Sequence, residues 1–230
     1  MMELKQRAYE ANIELWKRGL VIYTWGNVSE IDRARGLVAI KPSGVPYERM
    51  TAEDIVIVEL ESGCNLENRL RPSSDTPTHL ALYRAFPDIR GITHTHSRCA
   101  CAWAQAGMPI PCYGTTHADY FYGEIPVTRD LLPEEIKTEY EHNTGLVIVE
   151  TMKEKSPLAM PAVLVKNHGP FTWGKSGLES VENAVVLEEV AHMALLTYGL
   201  RGAFQPATGD LLDKHFFRKH GINAYYGQEK

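Results

Sequence analysis

No run of apolar residues in this chain reaches the roughly 18 to 20 positions that a helix needs to cross a bilayer, so the sequence offers no membrane span. A cationic footprint is missing too. Lys and Arg number 24 against 29 Asp and Glu, and the formal charge of -5 leaves no basic patch for nucleic acid. Charges of both signs are interspersed, without a long block of either. The opening residues Met1-Met2-Glu3-Leu4-Lys5-Gln6-Arg7 carry no apolar signal-peptide core, so a cytoplasmic location is expected. Cysteine is sparse: Cys64, Cys99, Cys101 and Cys112 read as free thiols in a reducing compartment. Cys99-Ala100-Cys101 is too short for a CxxC redox motif and has no second pair to complete a zinc knuckle. It reads instead as small apolar positions on a helix. There is no HExxH, no repeat, no low-complexity segment and no linker. What remains is an ordinary globular composition, 44% hydrophobic over 230 residues, enough for a single domain over 1–230 with a sizeable core.

Periodicity then places the elements. Leu4, Ala8, Ala11 and Leu15 recur at helical spacing and predict a helix from Met2 to Arg18, stopped by Gly19. Strands are expected at Leu20–Thr24, Gly36–Ile40, Ile55–Leu60, Ile89–Ile92, Leu146–Glu150, Ala162–Val165 and Phe171–Gly174. Several short strands separated by turns suggest a mixed or antiparallel sheet rather than a Rossmann series. Pro77 suits a first helical turn, with Asp75 or Thr76 as cap and helix running to about Phe86. Further helices are expected from Arg98 after a Ser97 cap, from Leu132-Pro133, from Leu178 to Tyr198 behind the Ser176-x-x-Glu179 capping box, and from Leu211 to His220. His192 on the long helix reads as structural. The loop Thr115–Gly123 mixes aromatics with an acid and a histidine, and reads as a substrate-facing loop or a buried Ω-like one.

The stretch richest in chemistry is Thr93-His94-Thr95-His96. On an extended chain, residues i and i+2 share a face, so His94 and His96 project side by side. Such a pair is either a solvated or hydrogen-bonded couple or half of a transition-metal site. His168, in Lys166-Asn167-His168-Gly169 after another strand, offers a third imidazole, and Asp75 a carboxylate near the same strand ends. Three histidines leave an open position for a substrate oxygen and suit zinc or a similar divalent ion. Lys41-Pro42-Ser43-Gly44 follows a strand and combines backbone N–H groups, a hydroxyl and a cation, as an anion cradle does. Ser73 and Ser74 lie just upstream of a helix N-terminus, which also suits an anion. Gly26 beside Asn27 suggests a turn that presents a polar side chain. Metal at one end and phosphate at the other point to a phosphorylated sugar with a carbonyl.

These motifs together resemble the class II aldolase/epimerase family, in its L-ribulose-5-phosphate 4-epimerase branch. The resemblance runs through Thr24–Ser29, Lys41–Gly44, Pro72–His79, His94–Arg98, Gly114–Gly123, Asn167–Phe171, and Leu212–His215 through Tyr225-Tyr226-Gly227-Gln228. It implies an α/β fold, a central largely antiparallel sheet flanked by helices on both sides, as in the class II aldolase/adducin group. It implies one zinc ion per subunit on His94, His96 and His168, with Asp75 at the metal. Asn27, Lys41, Ser43, Gly44, Ser73 and Ser74 match the positions that bind substrate and phosphate. Asp119 and Tyr226 match the acid/base pair, with His215 in support, and the family is a homotetramer whose active sites lie between subunits. The implied reaction interconverts L-ribulose 5-phosphate and D-xylulose 5-phosphate by retro-aldol cleavage and aldol re-formation of the C3–C4 bond. Arabinose and ascorbate routes both deliver that substrate. The nearest rival is a sugar-phosphate aldolase on the same groups. Asp75 where the aldolases carry Glu, and the Tyr225–Gln228 tail, favour the epimerase. The intact histidine set argues against a non-catalytic member, and the missing HExxH against a zinc hydrolase.

Overall fold

The computed structural model describes residues 1–67, 69–201, 205–220, 222 and 224–226. Gly227 and Gln228 of the tail motif lie outside them. Six strands form one sheet in the order β3-β2-β1-β4-β6-β5: β1 Asn27–Asp32, β2 Leu37–Ile40, β3 Val56–Glu59, β4 Gly91–His94, β5 Ala162–Val165 and β6 Gly169–Gly174. Every pairing within it is antiparallel, as the run of short strands and turns implies. The α-helices are α1 Met2–Lys17, α2 Thr76–Ala85, α3 Arg98–Ala106, α4 Thr115–Ala118, α5 Pro133–Lys137, α6 Tyr140–Thr151, α7 Gly177–Arg201 and α8 Gly209–His220. None of them is long and apolar enough to cross a membrane.

Side-chain alternation divides the sheet into two faces. Val28, Ala39 and Ile57 pack with Leu4, Ala8, Ala11 and Leu15 of α1 and Val181 of α7. The four α1 residues are fully buried, as their spacing requires. On the other face Ile31, Val38, Ile40, Val56, Val58, Ile92, Phe171 and Trp173 pack with Leu80, Leu82 and Tyr83 of α2 and Ile148 of α6. The sheet is therefore covered on both sides.

Two strand expectations fail for identifiable reasons. Leu146–Glu150 belongs to α6, whose buried residues Thr144, Gly145, Val147 and Ile148 follow helical spacing. A short β-branched run is ambiguous on its own, and contact with α2 decides it. The α6 backbone approaches α2 so closely that a Cβ on Gly145 would lie 2.7 Å from that of Ala81. Leu20–Thr24 is irregular, because Tyr23 takes a left-handed φ of 56° that an extended run does not allow. Strand β1 starts three residues later, at Asn27, where a turn is expected. The loop 115–123 contains α4, and His192 is exposed rather than structural.

Helix ends are satisfied from elsewhere in the fold. Asp75 and Ser97 stand at the N-caps of α2 and α3 without a side-chain cap bond. Glu188 of α7 takes over for α3, accepting from the backbone N–H groups of Cys99 at 2.8 Å and Ala100 at 3.0 Å. Beyond α2, Arg33 donates to the carbonyls of Tyr83, Phe86 and Ile89. These bonds tie the helix to the β1–β2 turn.

Candidate active site

The register of the three central strands assembles the site. Asn27 of β1 pairs with His94 of β4, and His94 pairs with Phe171 of β6. Cross-strand partners share a face, so Asn27, His94 and Phe171 all lie on the α2 side. The His94 ring stacks on Phe171 with centroids 4.2 Å apart and planes 17° from parallel. His94 ends β4, and His96 stands just beyond the strand, yet the alternation still brings their rings together. His168 occupies the turn between β5 and β6, where Asn167 adopts a left-handed φ of 60°. Two glycines permit this crowding. A Cβ on Gly26 would lie 2.8 Å from the His94 carbonyl, and one on Gly169 would lie 2.7 Å from that of Thr95.

His94 donates Nδ1–H to the Pro170 carbonyl at 2.9 Å, which leaves Nε2 with a lone pair. The Nε2 atoms of His94 and His96 are 3.1 Å apart. The ring centroid of His168 lies 4.8 Å from that of His94 and 5.1 Å from that of His96. The ligand atoms of all three fall within 4.8 Å of one another. For zinc–nitrogen bonds of about 2.0–2.1 Å, tetrahedral ligands sit roughly 3.3–3.4 Å apart, so the observed spacing suits a shared ion. Protonation state agrees. Burial first, then the neighbouring imidazoles, pull His168 down to about 4. Burial and His94 likewise lower His96. Neutral imidazoles are what a divalent ion binds. The donor set therefore fits a metal, and Asp75 flanks it. Burial works against ionisation of Asp75, but His94, His79, the Asn27 hydrogen bond and His168 together hold its carboxyl below the ordinary range. Asn27 Nδ2 donates to that carboxylate at 2.6 Å and to Ser73 Oγ at 3.1 Å.

These groups open onto a cavity of about 630 Å³. Asp75, His94, His96 and His168 line one part of it, and Lys41, Ser43, Gly44, Ser73 and Ser74 another. Trp25, Tyr140 and Glu141 also line it. Sequence reasoning misses these three as site residues, and for Tyr140 and Glu141 the cause is the misplaced strand. The loops expected to cradle an anion differ in detail from that expectation. The Ser43 and Ser73 backbone N–H groups donate to the carbonyls of Arg71 and Lys41, both at 3.0 Å. Their hydroxyls, rather than these amides, can donate to a ligand, while Ser73 Oγ also accepts from Asn27 and from the Asp75 N–H at 3.3 Å. The Lys41 ammonium donates to the Val45 carbonyl at 2.8 Å and lies 4.7 Å from the centre of the Tyr47 ring. It stiffens the loop and supplies charge beneath it. Burial lowers Lys41 to about 8, so its charge is present below that pH and lost above it. Binding of a phosphorylated ligand is expected to weaken as pH rises through about 8. Isothermal titration across that range checks this, and in Lys41→Met the pH-dependent step should vanish.

Asp119, His215 and Tyr226 do not line this cavity. They form a second cluster, where α8 folds onto the end of α4. Asp119 accepts from Arg218 Nη2 at 2.6 Å, Arg218 Nε at 3.0 Å and His215 Nδ1 at 3.0 Å. Burial favours the neutral acid, yet these hydrogen bonds and the Lys219 and Arg218 charges outweigh it and keep the Asp119 carboxyl below its usual range. The cations of Arg218 and Lys219 lie 4.9 and 4.7 Å from the centre of the Tyr226 ring. Backbone bonds from Tyr225 and Tyr226 to the Arg218 carbonyl fold the tail against α8. His117, inside the same loop, is a buried structural group: it donates to the Gly123 carbonyl, and burial lowers it to about 4.

The family model of the class II aldolase and adducin N-terminal domain matches residues 6–195. The L-ribulose-5-phosphate 4-epimerase UlaF of Salmonella paratyphi B is 58% identical over 229 residues, covering 100% of both chains. That of Salmonella typhi is 57% identical over the same span. Among solved structures, an L-fuculose 1-phosphate aldolase superposes with a TM-score of 0.78 at 24% identity, covering 93% of this chain and 94% of its own. The L-fuculose-1-phosphate aldolase of Thermus thermophilus gives 0.70 at 27% identity, covering 90% and 100%. The chain belongs to the class II aldolase and adducin N-terminal domain family.

Proposed function

We propose that this chain is a zinc-dependent L-ribulose-5-phosphate 4-epimerase, interconverting L-ribulose 5-phosphate and D-xylulose 5-phosphate by breaking and re-forming the C3–C4 bond. One observation carries the reading: the histidine cluster and the serine loops share one cavity, sized for a phosphorylated pentose. Full-length similarity to relatives bearing that name supports it. Zinc held by His94, His96 and His168, with Asp75 beside it, would polarise the substrate carbonyl and offset the charge that develops as the bond breaks. Ser43, Gly44, Ser73 and Ser74 hold the phosphate, with the Lys41 charge behind them, so that the two-carbon aldehyde stays in place between cleavage and re-addition. Asn27 orients Asp75 and closes the gap between the two halves.

Proton transfer falls to Asp119 and Tyr226 of a neighbouring subunit, in a homotetramer with sites at its interfaces. Their absence from the cavity of their own chain supports this. Asp119, kept ionised by Arg218 and His215, enters as a base. Tyr226 offers a phenolic O–H on the other face of the aldehyde. The cytoplasm, with either pentose route as source, is the setting this reading implies.

The test is incubation of purified, zinc-loaded protein with L-ribulose 5-phosphate, following D-xylulose 5-phosphate and free glycolaldehyde phosphate separately. Conversion without released fragments is the expected result. Steady accumulation of fragments would replace the epimerase with an aldolase.

A further inference from the structure

The three imidazoles are held in different ways. His94 is fixed by a backbone carbonyl, Pro170, and His96 meets His94 through Nε2. The ring of His168 is met at Nδ1 by the hydroxyl of Tyr140, at 3.3 Å. The two rings also stack, with centroids 6.2 Å apart and planes 24° from parallel. Tyr140 opens α6, and the backbone there is clamped. Thr78 Oγ1 of α2 donates to the Glu141 carbonyl at 2.5 Å, and Thr144 Oγ1 donates to that of Tyr140 at 2.8 Å. The close approach at Gly145 holds the same turn of α6 against α2. The hydroxyl is thus delivered to a fixed point on the cavity wall, half-buried and beside His168.

We infer that Tyr140 is a positioning residue for the metal centre: its hydroxyl accepts Nδ1–H of His168 and holds the ring in the tautomer whose Nε2 faces His94 and His96. The inference rests on reading the three histidines as a metal site. A ligating imidazole gains basicity and a fixed orientation from a partner on its second nitrogen, and losing such a partner typically costs about 10–100-fold in metal affinity. Without the hydroxyl, the half-buried His168 ring is free to rotate or to change tautomer.

The experiment compares wild type, Tyr140→Phe and Tyr140→Leu as purified full-length proteins. Zinc affinity is read by competition with a chromophoric chelator, ligand geometry by the visible spectrum of the cobalt-substituted protein, and folding by thermal unfolding without metal. Tyr140→Phe keeps the ring and removes one oxygen. It is expected to bind zinc about 10–100-fold more weakly, with an altered cobalt spectrum and unchanged metal-free unfolding. Tyr140→Leu should weaken zinc at least as much and lower the metal-free unfolding temperature as well. Zinc binding by Tyr140→Phe equal to that of wild type overturns the inference and leaves Tyr140 a packing residue. A loss of affinity matched by an equal loss of metal-free stability overturns it too. Failure of wild type itself to bind zinc overturns the metal reading beneath it, and the two failures are told apart by that control.

Discussion

Replacing His96 with alanine is expected to strip the protein of its metal while leaving the fold intact. His96 lies beyond the end of β4 and contributes nothing to the ladder, and it is exposed at the cavity. What it supplies is one of three converging nitrogens, 3.1 Å from its neighbour. Losing an outer partner of a ligand already costs about 10–100-fold in affinity, and losing a ligand outright should exceed that. Elemental analysis after gel filtration should find little zinc in His96→Ala against one equivalent in wild type, with matching circular dichroism. Full zinc occupancy in the variant would remove His96 from the ligand set.

The second large effect concerns Asp119 and Tyr226. Asp119→Asn and Tyr226→Phe should each retain zinc and lose about 10²–10⁴-fold of epimerase activity, the range a positioned acid or base contributes. Asp119→Asn gives up the carboxylate that organises Arg218 and His215, so its unfolding temperature is measured alongside. Tyr226→Phe is the cleaner variant, because its exposed ring keeps its contacts with Arg218 and Lys219. The arrangement between subunits has its own test. Inactive His96→Ala and inactive Tyr226→Phe, mixed by co-refolding, should recover activity. In a ring of head-to-tail interfaces, random equal mixing leaves about a quarter of the sites with both halves intact. A mixture as inactive as its components would mean that one chain supplies both halves of its own site.

Much of this molecule is legible in its sequence where local pattern and burial agree. Helix α1 reads from Leu4, Ala8, Ala11 and Leu15 because one face is buried and the other is not. Strand β5 is bounded as expected, at Ala162–Val165, because its four buried residues have no helical alternative of that length. The pairing of His94 with His96 follows from alternation alone. The join between His168 and those two does not, because it depends on β4 and β6 being neighbours, a long-range register that no local window contains. Helix α6 escapes a local reading for the same reason: Leu146–Glu150 passes for a strand until the Ala81 and Thr78 surface beside Gly145 is known. With the helix go Tyr140 and Glu141. The Asp119 cluster is hidden differently, since Arg218 reaches Asp119 across 99 positions of sequence.

The two side-chain clusters are anchored to unlike parts of the chain. The imidazoles sit on or at the ends of strands with fixed pairing. Insertion of one residue within β4 would turn His94 toward α1 and α7 and dismantle the cluster at once. The groups around Asp119 sit on α8 and on Tyr225 and Tyr226, which bond the Arg218 carbonyl and stack against Lys214, Arg218 and Lys219. Drift in this scaffold is therefore lopsided. The histidine cluster accepts almost no change of length within β4, whereas the Asp119 cluster, outside the sheet, is free of that constraint.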